Sequence, residues 1–141
     1  MAFVVEKNGF FRIASNENEK NDINFLEGAT VHNLSDSDFN EVKQDKSKIS
    51  ISNGVVTVIQ NATGLFENVD DLKQRHEQIK DSLYNFLINN SSSKILYSTA
   101  QTYSDTLNSF DYSTITFPLN KHWEEYCEDN SIQYVHPLQL P

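Results

Sequence analysis

Two runs of β-branched residues border an Asn-Gly pair in the middle of the chain, and this pattern constrains the fold most. Residues 49–51 and 55–59 are rich in Ile and Val, and they flank Ser52, Asn53 and Gly54. Asn and Gly reach positive φ at low cost, as the tight turn of a hairpin requires. β-branched side chains favour extended backbone on both sides of that turn. The pattern therefore predicts a β-hairpin.

A second Asn-Gly pair near the N-terminus predicts another hairpin. Asn8 and Gly9 lie between strand-prone residues 4–6 and 10–13. The same turn chemistry applies here. The remaining predictions for the first half are a loop over residues 15–22, a short strand pair from residues 23–25 and 30–32, and a helix over residues 36–44.

The start of that helix is marked by several residues in a row. Ser35 is an N-cap candidate, and Asp36 and Asp38 fall in the first turn, where the helix dipole favours negative charge. Leu34 and Phe39 occupy the two positions of a hydrophobic staple. Together these residues predict that a helix begins after Ser35.

Apolar residues recur at helical spacing in the second half. Spacings of three, four and seven place one apolar stripe on a helix over residues 69–89, which Asn68 can cap. A second helix is predicted over residues 94–109, and the short loop between them favours an antiparallel pair. The stripe of the first helix consists of Leu72, His76, Ile79, Leu83, Phe86 and Leu87.

The last part of the chain is predicted to be mostly extended. Residues 110–117 precede Pro118, which disfavours helix just before it. Asn120 is expected to cap a third helix over residues 121–128. Residues 132–141 contain two prolines and are predicted to form an extended C-terminal strap.

These elements predict an α+β fold. Residues 1–65 would form a small antiparallel β-region of hairpins. Residues 66–141 would form a helical region with a helical hairpin, a third short helix and the strap. The two regions are expected to be one compact unit or two closely packed small ones.

Charge and cysteine content exclude several classes of function. The 141 residues include 20 acidic and 11 basic ones, for a net charge of −9. Binding to a nucleic-acid backbone or to an anionic membrane needs a basic surface, so neither partner is expected. One cysteine cannot form an internal disulfide, and the sequence has neither a signal peptide pattern nor an apolar run long enough to span a membrane.

The search for chemical motifs finds no catalytic constellation. The histidines at positions 32, 76, 122 and 136 show no zinc-ligand spacing with each other or with Cys127. Cys127 is better explained as a small buried side chain than as a nucleophile. We therefore predict no catalytic residue, no cofactor site and no metal site, and we expect that the protein is not an enzyme.

The C-terminal strap is the strongest sequence signal for partner binding. Free termini are usually polar, whereas this one ends in apolar residues. It either closes its own domain or docks on another subunit, and a truncation ending at Val135 would separate the two. Exposed hairpins also leave sheet edges that a neighbouring chain could extend. The candidate partner-binding residues are Tyr134, Val135, Leu138 and Leu140, with Trp123 as a further candidate anchor for which a place in the core is favoured.

Several segments resemble one group of viral proteins. Residues 111–120, 123–126 and 137–141 are similar to small proteins of tailed bacteriophages, especially marine and cyanobacterial ones. Residues 3–13 and 34–39 resemble the same group. Tail-fibre assembly chaperones show a weaker similarity, since they also join a β-rich first half to a helical second half with apolar, Pro-containing ends.

The resemblance implies a role in the phage particle. Members of the group belong to tail and structural gene modules, so we expect a virion component made in the host cytoplasm. Its partners would be other virion or tail proteins, with repeated copies or a homo-oligomer. An assembly chaperone absent from the mature particle is the alternative. A third hypothesis, an acidic host-takeover protein that mimics DNA or blocks a host enzyme, is disfavoured because the carboxylates are interspersed with lysines.

Overall fold

The computed structural model describes all residues from Met1 to Pro141 and has the α+β fold that the sequence predicts. The strands are β1 (Ala2–Lys7), β2 (Phe10–Ala14), β3 (Thr30–Leu34), β4 (Ser47–Ser52) and β5 (Val55–Gln60). The α-helices are α1 (Glu17–Asn21), α2 (Asp36–Lys43), α3 (Val69–Asn89), α4 (Tyr97–Asn108) and α5 (Trp123–Asp129). Two 3-10 turns, Tyr112–Thr114 and Pro137–Gln139, complete the structure.

Both predicted hairpins are present and turn where the sequence places them. Asn8 and Gly9 join β1 to β2 with φ angles of 53° and 85°, and Asn53 and Gly54 join β4 to β5 with 51° and 75°. Two consecutive positive φ angles match the right-handed twist of the flanking strands. β4 and β5 form a two-stranded sheet of their own.

The strand pair predicted around Gly28 is wrong. Residues 30–32 do belong to a strand, but β3 pairs with β1 in a three-stranded antiparallel sheet of order β2-β1-β3. Residues 23–25 form no strand, and Ile23 is buried under the sheet beside Val5 and Ala14. β1 offers a long apolar strand as partner, which a three-residue segment cannot match.

The predicted loop over residues 15–22 contains the short helix α1. The side chain of Asn16 caps it by accepting a hydrogen bond from the Glu19 amide at 2.9 Å. Glu17 and Glu19 lie in its first turn, where the helix dipole stabilises negative charge. The cap and the two acids were the signal for this helix in a segment without any apolar periodicity.

Two predicted caps are confirmed and one is wrong. Ser35 accepts a hydrogen bond from the Asp38 amide at the start of α2, and Asn68 accepts one from the Asp71 amide at the start of α3, each at 3.1 Å. α5 begins at Trp123 after His122, so Asn120 does not cap it. The other differences are the later start of α4 at Tyr97 and the 3-10 turn inside the segment predicted to be extended.

The apolar side chains form two main clusters, one in each half of the chain. The larger cluster joins α3, α4, α5 and the strap, and it includes Leu72, Leu83 and Tyr103. The smaller one lies between the three-stranded sheet, α2 and the β4–β5 hairpin. No helix of the fold is both long and apolar enough to cross a membrane.

The segment between β5 and α3 passes unusually close to α5. A Cβ atom on Gly64 would clash with the backbone nitrogen of His122, so only glycine fits there. Beyond it, Phe66 and Leu119 exchange two backbone hydrogen bonds of 2.9 and 2.8 Å. These contacts fix the start of α5 against the first half of the chain.

Candidate functional site

The C-terminal strap lies on its own chain in this structure. Val135 and Leu140 are buried in the larger cluster, with 1% and 6% of their surface exposed. Leu138 is half-buried and packs against the smaller cluster. The carbonyl of Leu140 accepts a hydrogen bond from Nε of Arg12 at 2.9 Å. Of the two arrangements that the sequence allows, the structure has the one in which the strap closes its own domain.

Trp123 is a core residue rather than an exposed anchor. Its surface is 1% exposed, and its indole nitrogen donates a hydrogen bond to the Tyr103 hydroxyl at 2.8 Å. His76, Phe110 and Tyr126 surround its ring at centroid distances of 4.2 to 5.5 Å. Partner binding through Trp123 would require this aromatic cluster to open.

Tyr134 is half-buried at the outer side of the strap. Its hydroxyl donates to a Glu128 carboxylate oxygen at 2.6 Å, and Lys43 forms an ion pair with Glu128 at 3.6 Å. Burial and the Glu128 carboxylate raise the pKa of Tyr134 above its ordinary value. Of the five predicted partner-binding residues, only Tyr134 and Leu138 keep part of their surface exposed.

A group of polar side chains joins the strap, α5 and the α2–β4 loop. The Asp45 carboxylate lies 3.2 Å from Nε2 of His136 and 3.5 Å from Nδ1 of His122. His136 Nδ1 accepts the amide of Leu138, and His122 Nε2 contacts the carbonyl of Ala62 at 3.0 Å. Burial would raise the pKa of Asp45, but the hydrogen bond from His136 and the nearby cationic groups hold it below its ordinary value.

Next to this group lies a buried ion pair. Arg75 donates to Glu124 at 2.6 Å, and only 1% of the Glu124 side chain is exposed. The second carboxylate oxygen of Glu124 has no hydrogen-bond partner. The neighbouring Cys127 is buried, and burial together with Glu124 raises the pKa of its thiol, which keeps it protonated and a poor nucleophile.

His76 fills the gap in the apolar stripe of α3 and is fully buried. Its Nδ1 lies 2.7 Å from the Tyr112 hydroxyl, and its Nε2 has no partner. Burial lowers the pKa of His76 to about 4, with further lowering by the positive charges of Lys80 and Arg75. No group of three or more His, Cys, Asp or Glu side chains has the geometry to hold a metal ion.

The β4–β5 hairpin presents an open apolar surface. Val55 and Ile59 are 62% and 42% exposed, and they share one face of β5 with the exposed Thr57. The opposite face, with Val56 and Val58, is half-buried against the smaller cluster. Val55 and Ile59 therefore form a small apolar patch on the solvent face of this two-stranded sheet.

β5 is also an unpaired edge of its sheet. Its only strand partner is β4, and the two-residue turn makes Ser52 and Val55 a hydrogen-bonded pair. By alternation, the N–H and C=O groups of Val56 and Val58 point away from β4. We call this outer side of residues Val55–Gln60, with its exposed Val55 and Ile59, the β5 edge.

The sequence indicates the β5 edge only in part. The hairpin and its free edges follow from the Asn-Gly turn, but Val, Ile and Thr on both faces of β5 do not tell which face is buried. The group around Asp45 has no sequence signal, because its members come from positions 45, 122 and 136 and meet only in the folded chain.

Comparison with known proteins identifies no relative: no family model, curated protein or solved structure matches the chain.

Proposed function

We propose that the chain is a non-enzymatic structural component of a tailed-phage virion, in its tail, baseplate, neck or fibre-attachment region, acting through protein–protein contacts. The observation behind the contact role is the β5 edge. It combines two exposed apolar side chains with unpaired backbone groups, so an incoming strand would gain both hydrogen bonds and buried apolar surface. The virion assignment rests on the sequence resemblance.

The absence of charge on β5 supports this role. Natural edge strands are usually protected by lysine, proline or a bulge, and the six residues of β5 contain none of these. Lys48, on β4, is the one charged residue of the hairpin. An unprotected edge in a chain of net charge −9 is the kind of surface that a partner or a further copy of the chain covers.

Mass spectrometry of purified particles tests the location. We expect the chain in particles of the phage that encodes it, at a constant ratio to known tail proteins. Absence from particles would contradict the virion role. The alternative, an assembly chaperone, predicts instead a complex with a fibre or tail protein in the infected cell and no copies in the particle.

A pair of lysine substitutions tests the edge. Thr57→Lys places a charge at the centre of the β5 edge, whereas Ser50→Lys places it on the same face one strand away, because Ser50 is the cross-strand partner of Thr57. Both side chains are exposed, so both variants should fold. We expect T57K to abolish co-assembly or self-association in light scattering and S50K to preserve it. Equal behaviour of the two variants would contradict a role for the edge.

A further inference from the structure

A cleft on the β1–β2 hairpin collects positive charge and aromatic surface without any acidic residue. Its volume is about 280 Å³, and we call it the cationic cleft. Cross-strand register places three of its side chains on one face of the sheet, because Lys7 pairs with Phe10 and Arg12 pairs with Val5. The lining residues are Lys7, Asn8, Phe10, Arg12 and Phe25.

Arg12 is a half-buried guanidinium without a carboxylate partner. Its two hydrogen bonds go to the carbonyls of Leu140 and Phe11, at 2.9 and 2.8 Å, and it forms no ion pair. The chain's other arginine, Arg75, is paired with Glu124. Burial lowers the pKa of Arg12, as expected for a charge that nothing compensates. A guanidinium has five N–H donors, so three remain free.

The second cation and the aromatic rings complete the cleft. Lys7 donates to the carbonyl of Glu27 at 2.8 Å and also forms no ion pair. Phe10 is 69% exposed beside it, and Phe25 forms the other wall. Five of the 11 lysine and arginine side chains form no ion pair, and of these five only Lys7 and Arg12 line a cavity.

We propose that the cationic cleft binds a small aromatic oxyanion, a phosphate or carboxylate attached to a planar ring. Lys7 and Arg12 face the anion, and the ring stacks on Phe10. Arginine matches the geometry of both oxyanions through paired N–H donors, and exposed aromatic rings bind planar ligands by stacking. This site is independent of the β5 edge, which lies on the other sheet.

Titration of the full-length protein with phenyl phosphate, followed by amide NMR, tests the proposal. We expect saturable shifts confined to the β1–β2 turn, Arg12 and Phe25. Lys7→Gln should raise the dissociation constant roughly threefold, as the loss of an exposed ion pair does. Phe10→Ser should raise it roughly fivefold through lost stacking. Both side chains reach the surface, so the variants should keep the fold.

Two matched variants outside the cleft serve as controls. Lys48→Gln removes one exposed lysine charge outside any cavity, and Tyr84→Ser removes one exposed aromatic side chain; neither should change phenyl phosphate binding. Equal weakening by K7Q and K48Q, or no saturation at all, would overturn the proposal. Equally tight binding of inorganic phosphate, which lacks the ring, or of benzyl alcohol, which lacks the anion, would also overturn the proposal. Benzoate in place of phenyl phosphate distinguishes a carboxylate ligand from a phosphate ligand.

Discussion

The Asp45 carboxylate accepts a hydrogen bond from Nε2 of His136 at 3.2 Å, although 91 residues separate the two in sequence. The proton lies on Nε2 because Nδ1 of the neutral ring accepts the Leu138 amide. This contact fastens the strap to the α2–β4 loop, so the strap's position depends on a charge in the first half of the chain.

Asp45→Asn is expected to remove this contribution without disturbing the backbone. Asp45 has a φ of 61°, a region that Asn also tolerates. The loss should be about 1 kcal/mol of unfolding free energy near neutral pH. Because the folded pKa of Asp45 is lowered, its contribution is present above the ordinary value of 3.8 and disappears as pH falls through the folded pKa. Urea unfolding at pH 6 and pH 2.5 measures the difference, which should shrink at the lower pH; a constant difference would contradict a contribution from the ionised Asp45 carboxylate.

His76 should control the free energy of unfolding in a higher pH range than Asp45 does. The folded pKa of about 4 lies below the ordinary 6.5, so between these values the unfolded chain binds a proton that the folded chain does not. Stability should therefore fall by about 3 kcal/mol as pH drops from 6.5 to 4. His76→Gln should lack this part of the slope. Unfolding curves across that range check it, and an unchanged slope in the variant would show that His76 is not responsible.

Removing one partner of the buried Arg75–Glu124 pair should destabilise the fold more than removing both partners. Arg75→Met leaves a nearly fully buried carboxylate unpaired, which should cost about 3 kcal/mol of unfolding free energy. The double variant R75M/E124M removes both charges and should be more stable than R75M alone. Denaturant unfolding of the single and double variants completes the cycle, and additive losses would mean that the two residues do not interact.

Local signals in the sequence predict most of the fold. Turns, caps and helical spacing are properties of neighbouring residues, so the hairpins, α2 and α3 appear where Asn53, Ser35 and Asn68 place them. The partner of β3 depends on a competition between distant strands, and no local pattern decides it. The same reason explains why residues 23–25 are wrongly predicted to form a strand.

The candidate sites are less predictable because they depend on burial and on distant contacts. Apolar residues near the C-terminus indicate that the strap docks on something, but only the folded chain shows that Val135 and Leu140 are covered by its own core. The cationic cleft depends on cross-strand register and on the missing carboxylate beside Arg12. Whether a charged side chain has a partner depends on the residues around it in the folded chain, and the sequence alone does not show these neighbours.

Leu140 provides the direct test of how much the strap stabilises its own chain. It is 6% exposed within the larger cluster, so Leu140→Ala should lower the unfolding free energy by about 2–4 kcal/mol. Leu65→Ala makes the same chemical change at a side chain that is 50% exposed, and it should cost less than about 0.5 kcal/mol. Denaturant unfolding of the monomer measures both.

Truncation after Val135 extends the same test to the whole end of the strap. It removes Leu138 and Leu140, the carbonyl that Arg12 binds and the imidazole that Asp45 binds. The loss should exceed that of L140A, because apolar burial and the hydrogen bonds to Arg12 and Asp45 disappear together. We expect the truncated chain to melt at a lower temperature than L140A and to lose cooperativity in circular dichroism. A truncated monomer as stable as the full chain would mean that the strap is free to serve a neighbouring subunit, as the other arrangement considered for it requires.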